Sequence, residues 1–352
     1  MGHVQPVAKP EFARAEVDWP TLLRLGFVLL QGASVVITWP LWGVREAPPL
    51  LPVIDELPQL DLGYPLLATL FLILVRPVAG VLAHAAVLLV AFLLDQTRLQ
   101  PEFVSLAIIL LGTTSLAYAR AVVKAHLIAV WFWAGVNKAL SLGFMSESAQ
   151  WLFDSSPVSL EFLRPYFGWI IIGSEVSIAL CLLVPRLRRA GVVLAVTLHA
   201  FTLLTLVGIG WNESVWPWNV ALAMAAPAFF WRPAGEPHEW RGVSLAVLVI
   251  FGLLPIGFYG GYVDAYIAHN LYTSNTARAE VCRPDGVCSS GIFQQTWTEL
   301  RVPLPPEPRL YVQYFDQLCA PGESLLVHPR RTQVVFGRDF ERSEQECRLA
   351  ED

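Results

Sequence analysis

Charge is scarce in this 352-residue chain: 15% of positions, where a soluble globular domain carries roughly a quarter. With 55% hydrophobic residues, that scarcity excludes an ordinary soluble domain. Surplus positive charge is missing as well. The net charge is −5 and no basic patch carries interleaved aromatics, which argues against nucleic acid as a partner. Residues 1–20, MGHVQPVAKPEFARAEVDWP, contain acids and no apolar stretch, so no cleavable leader is expected there. Internal repeats and low-complexity segments are absent. So are CxxC and zinc-like spacings, and no metal is expected. Tryptophan (13) and proline (26) are plentiful, as at membrane interfaces and helix ends.

Nine apolar runs cross or nearly cross a bilayer by length: 21–43, 64–76, 78–94, 103–118, 121–140, 165–185, 190–211, 216–231 and 243–263. The expected fold is an all-α polytopic membrane bundle of about nine transmembrane helices, residues 21–263. A cytoplasmic segment, 1–20, precedes it, and a small exoplasmic, mostly-β domain, 264–352, follows. Orientation comes from the short loops. Lys9, Arg14, Arg76, Arg120, Lys124, Arg186, Arg188, Arg189, Arg232 and Arg241 fall on one side, while the opposite loops carry mainly acids such as Asp55, Glu56 and Asp61. The N-terminus is therefore expected in the cytoplasm and the C-terminus outside, across a membrane of the bacterial inner-membrane kind.

Four of the five cysteines, Cys282, Cys288, Cys319 and Cys347, follow the last run. An even number in a small domain facing an oxidising compartment implies two disulfides. Three pairings exist, and Cys282–Cys288 with Cys319–Cys347 is favoured. Cys181 reads as a small buried hydrophobe. The segments RLYVQYF (309–315) and TQVVFG (332–337) read as strands between the turn-rich PLPPEP and APGES.

Ionisable groups within membrane spans are costly and usually mark function or a specific pairing. Lys138, Glu175, His199 and His84 stand out. A lone lysine near a helix end often snorkels to the interface. Against that, Trp131, Ala134, Gly135 and Lys138 share one helical face, whose small residues allow close helix approach. Glu175, near mid-membrane, needs a partner or a proton. His199, His84 and His126 carry the blander reading of hydrogen-bonded packing histidines. His126 lies about 120° around the helix from Lys138. At the end of the third run, LLDQTRLQP (93–101) sets Asp95 three residues before Arg98, with Gln100 beside them.

FWAGVNKAL (132–140), LLDQTRLQP, GSEVSIALCLLVP (173–185) and LHAFTLLTLVGIGWNESVWPWNVALAMAAPAFF (198–230) together resemble, in order and spacing, segments of the vitamin K-dependent gamma-glutamyl carboxylases and their bacterial relatives with the HTTM membrane domain. The resemblance covers roughly residues 20–235. It implies a lyase with coupled quinone epoxidation, using reduced vitamin K or menaquinol, oxygen and carbon dioxide at an outward-facing site. Lys138 would be the base, helped by an apolar wall that favours the neutral amine. Glu175 and His199 would support it. Trp131, Trp133, Asn137, Asp95, Arg98 and Gln100 would line the quinone site, and the partners would be membrane lipid, quinone and a secreted peptide or protein. Three departures stand against it. Pro101-Glu102 occupies the place of a family histidine, Asn137 replaces a first lysine, and about ninety residues follow the spans where the animal enzymes carry a large luminal part. Two rival readings remain. One is a non-catalytic accessory or immunity-type membrane protein that binds a secreted peptide. The other is a thiol–disulfide relay to quinone of the DoxX or MauE sort.

Overall fold

The structure, a computed structural model, describes residues 18–54, 57–157, 160–231, 241–328 and 343–347. Lys9, Arg14, Arg232, Asp55, Glu56 and the strand expected at 332–337 lie outside those residues. Each of the nine apolar runs yields helix, and α7 falls between two of them: α1 (Trp19–Ile37) with the short α2 (Trp39–Trp42), α3 (Gly63–Val75), α4 (Pro77–Leu94), α5 (Pro101–Leu111), α6 (Ala119–Ala139), α7 (Ala149–Ser155), α8 (Phe167–Leu183), α9 (Arg188–Gly208), α10 (Trp216–Phe230), and α11 (Val243–Leu253) with the short α12 (Gly257–Gly260). Proline sits in the first turn of α1, α4, α5 and α10, where its missing N–H costs no helical hydrogen bond.

Nine apolar helices are not nine spans. Among the described residues, six helices are long and apolar enough to cross a membrane. Helices α3, α5 and α10 hold 13, 11 and 15 residues. At 1.5 Å per residue they reach about 17 to 23 Å, short of a hydrocarbon core about 30 Å thick. The expected count of nine is therefore not upheld.

Helix α6 is central: 72% of its spanning window is buried, against 11% for Val243–Gly260. Helices α8 and α11 pack on it, α9 packs between α8 and α10, and α1 contacts α3, α5 and α10. Gly135 sets the approach of α6 to α8. A Cβ there would stand 2.7 Å from Val176 Cγ2 and 3.1 Å from the Ile172 carbonyl oxygen.

The C-terminal region carries a four-stranded antiparallel sheet in the order β2-β1-β3-β4, formed by β1 (Arg278–Cys282), β2 (Cys288–Ser289), β3 (Ser324–His328) and β4 (Ser343–Glu346). Arg278 pairs with His328 and Cys282 with Cys288. Two helices, α13 (Gln295–Leu300) and α14 (Pro308–Leu318), complete it. Helix α14 corrects the strand expected for RLYVQYF. Its β-prone Tyr, Val and Phe mimic a strand. Yet the buried positions are Leu310, Tyr311, Tyr314 and Phe315, a helical spacing, and Pro308 starts the first turn. This face packs on Val281, Leu325 and Val327 of the sheet. The domain is thus helix plus sheet rather than mostly β. Cys282–Cys288 closes the β1–β2 hairpin, and Cys319–Cys347 ties the end of α14 to the residue after β4.

The LLDQTRLQP turn joins this domain to the bundle. Gln96 bonds Gln313, Arg309 reaches Gln96, and the Gln100 amide donates to the Pro303 carbonyl at 2.8 Å. Arg309 also forks onto Asp264 at 2.6 and 2.8 Å.

Candidate functional site

Lys138 does not snorkel. It is 4% exposed, and its Nζ donates to both carboxylate oxygens of Glu175 on α8, at 2.8 and 2.9 Å. The Ala134 carbonyl lies 3.4 Å away, and the Phe144 ring centroid 5.9 Å. Two charges that would each be expensive alone form one neutral, hydrogen-bonded unit between two helices. Nζ is thus engaged by three acceptors, both Glu175 oxygens and the Ala134 carbonyl.

His199 on α9 is equally engaged. The Trp131 indole N–H donates to Nε2 at 2.9 Å, and Nδ1 meets Asn219 Oδ1 at 2.9 Å. Asn219 uses its amide nitrogen on the Val215 carbonyl, so its oxygen accepts. An indole only donates, so the imidazole is the neutral tautomer with its proton on Nδ1. Lys138, Glu175, His199 and Trp131 line one cavity of about 120 Å³. Three helices therefore bring the sequence-selected polar residues together.

The other selected residues serve elsewhere. Trp133 donates to the Gly252 carbonyl of α11. Asn137 bridges the Ala268 carbonyl and the Tyr259 hydroxyl. Asp95 accepts from Arg45 and lies 3.5 Å from Arg98, whose guanidinium binds the Leu41 and Gly43 carbonyls. These contacts join chain segments and do not line the cavity at Lys138. His84 bonds through both ring nitrogens, to Gln31 and Thr69.

A second chamber, of about 360 Å³, is lined from α6 by His126. Phe92, Leu99, Val104, Ile108, Phe251 and Leu254 give it an apolar wall. Into that wall are set His126 and His269, their rings 5.5 Å apart between centroids, with Ser105, Gln100 and Tyr266 nearby. His126 Nε2 meets Ser105 Oγ at 2.9 Å. Its Nδ1 and the Trp218 indole N–H are buried with no hydrogen-bond partner among the described residues. Trp218 stands in the walls of both chambers. His126 and Lys138 lie twelve residues apart on α6, about 18 Å along its axis, and line different chambers. Sequence reading left His126 among packing histidines and passed over Trp218 and His269. For His269, beyond the last apolar run, no sequence signal existed.

Burial lowers the His269 imidazole from 6.5 to about 4. The folded state thus holds this ring neutral while the unfolded chain protonates it below about pH 6.5. The associated stability is present above that pH and is lost as pH falls towards 4. Melting at pH 5 should cost roughly 2 kcal/mol relative to pH 7 through this residue. His269→Asn, tolerated at the left-handed φ of 56°, should flatten the dependence. An unchanged pH profile in that variant would refute the assignment.

Comparison with known proteins gives one positive result. Residues 116–215 match the family model of methylamine utilisation protein MauE. The match spans α6 through α9 and ends just before α10, including Lys138, Glu175 and His199, and covers less than a third of the chain. No curated protein and no solved structure matches. The match corrects the carboxylase and HTTM resemblance. Two of the segments that carried it, FWAGVNKAL and GSEVSIALCLLVP, fall within the MauE-like stretch, and a third begins there. Glycine and a lone acid on an apolar helix are too common to separate the families. Carboxylation chemistry, with Lys138 as base, has no support.

Proposed function

We propose that the chain is a MauE-like membrane accessory protein that holds a lipid-soluble quinone in the chamber at His126. The observation that carries this is a pair of buried polar atoms without partners among the described residues, His126 Nδ1 and Trp218 Nε1, on residues that line a mainly apolar chamber. Buried polar groups are normally satisfied, so an orphaned pair points to a ligand with acceptors. A quinone presents two carbonyl oxygens on a flat apolar body, and when bound it supplies a two-electron, two-proton acceptor. Size separates the two chambers: about 360 Å³ lies within the range of ligand pockets, and about 120 Å³ does not.

Ser105 gives His126 a further property. The hydroxyl can donate to Nε2 or accept from it, so Nδ1 presents either a proton or a lone pair to its ligand. His126 and Ser105 together would hold a proton at the chamber wall. The C-terminal domain, with its two disulfides, suits the oxidising side of the membrane and contact with a secreted polypeptide. Titrating purified protein in nanodiscs with a short-tailed naphthoquinone should quench tryptophan emission saturably, at one equivalent per chain. Linear, unsaturable quenching would sink the reading.

One observation favours thiol exchange as a second activity: Cys288 is exposed on the β1–β2 hairpin. A partner thiolate attacking Cys288 Sγ would form a mixed disulfide and release the Cys282 thiolate. No cysteine lines the quinone chamber, so any exchange would run apart from it. In Cys282→Ser the Cys288 thiolate would run the exchange in reverse, attacking a partner's disulfide and releasing one partner thiolate. With no Cys282 left to resolve it, the mixed disulfide should accumulate in membranes. Its absence in gels run after acid quenching would remove this activity.

A further inference from the structure

Between the bundle and the C-terminal domain lies a third chamber, of about 330 Å³. One of its walls holds Glu102, in the first turn of α5 and 1% exposed. Ser214 hydrogen-bonds this carboxyl, but its Oε1 is buried without a partner among the described residues. No described cation pairs with it either. Arg278, which also lines the chamber, is held by Glu147 at 2.7 Å. The remaining wall is rich in aromatic rings. Trp211 and Trp297 stack with centroids 5.1 Å apart, and Tyr272 lies 5.5 Å from Trp211.

We infer that this chamber binds a primary ammonium group at the end of an extended polypeptide. The unpartnered oxygen calls for a donor, and a carboxylate beside aromatic faces favours a cationic one. Burial raises the Glu102 carboxyl to about 7, and the N-terminal end of α5 and an arriving ammonium group both favour its ionised form. One carboxylate alone provides too few oxygens for a metal ion. The shape points to a chain rather than a small amine. Trp211, Arg278, Trp297, Pro303, Leu304 and Tyr311 also line a groove of about 610 Å³ that continues along the C-terminal domain past Glu280 and Ser290. A peptide lying in the groove would reach Glu102 with its free N-terminus. This deepens the partner-binding half of the reading above and is independent of the quinone.

The test uses the full chain in nanodiscs and three probes: a tryptophan-free, lysine-free octapeptide with a free N-terminus, its N-acetylated copy, and butylamine. Binding is read from the emission of the Trp211–Trp297 pair. The free peptide should bind at least tenfold more tightly than the acetylated copy, and Glu102→Gln should erase that difference. If Glu102→Gln fails to fold, Trp297→Ala, with binding read by calorimetry because the emitting pair is lost, should weaken the free peptide about fivefold while leaving quinone binding intact. Equal affinity of the two peptides overturns the inference. So does butylamine matching the free peptide, which would make this a small-amine site. Because the quinone titration uses another probe, failure here leaves that reading separately measurable.

Discussion

Lys138→Met should be among the most damaging single substitutions in this protein, destabilising it by about 3–5 kcal/mol. The change removes three donors and leaves the Glu175 carboxylate buried between α6 and α8 without a counter-ion. The pair's side chains are only 5% and 12% exposed, so water cannot compensate. Glu175→Leu should cost a similar amount by stranding the ammonium. The double variant, Lys138→Met with Glu175→Leu, should recover most of the loss, since replacing a whole buried pair with apolar residues is often neutral. Melting of the four proteins in one detergent gives the cycle. Quinone binding by the double variant should stay within about twofold of wild type, because the pair lines the smaller cavity. A double variant as unstable as either single one would show that the pair does more than satisfy itself.

The second large effect belongs to His126. His126→Phe fills the space of the ring and keeps the apolar contacts, but removes Nδ1 and the bond to Ser105. Its stability cost should be modest, since one ring nitrogen is already unsatisfied. Its effect on quinone affinity should be at least tenfold, the loss of one buried hydrogen bond in an apolar site. Trp218→Phe should act in the same direction. The contrast with Lys138→Met is the point: one substitution harms folding and the other harms binding.

Much of this was legible in the sequence. Trp131, Ala134, Gly135 and Lys138 are buried as their shared face implied, although α6 is buried on nearly every side, and the favoured disulfide pairs are those that form. Pattern works where one element's own period decides the outcome. It failed for RLYVQYF, where β-prone aromatics on a helical period outweighed the proline ahead of them. It overcounted spans, because apolar runs of 11 to 15 helical residues look alike whether they cross the membrane or stop within it. The chamber at His126 was out of reach for a different reason. His126, His269, Ser105 and Trp218 come from four segments that meet only after packing. Glu102 was visible only as a departure from the wrong family, although an acid opening an apolar helix was itself a signal.

The central claim is that the larger apolar chamber, and not the ion-pair cavity, receives a quinone. Its most direct test is equilibrium titration of wild type, His126→Phe and the Lys138→Met, Glu175→Leu double variant with one short-tailed naphthoquinone in nanodiscs. The account predicts saturable binding by wild type and the double variant, and at least tenfold weaker binding by His126→Phe. Binding that survives in His126→Phe and disappears in the double variant would contradict it.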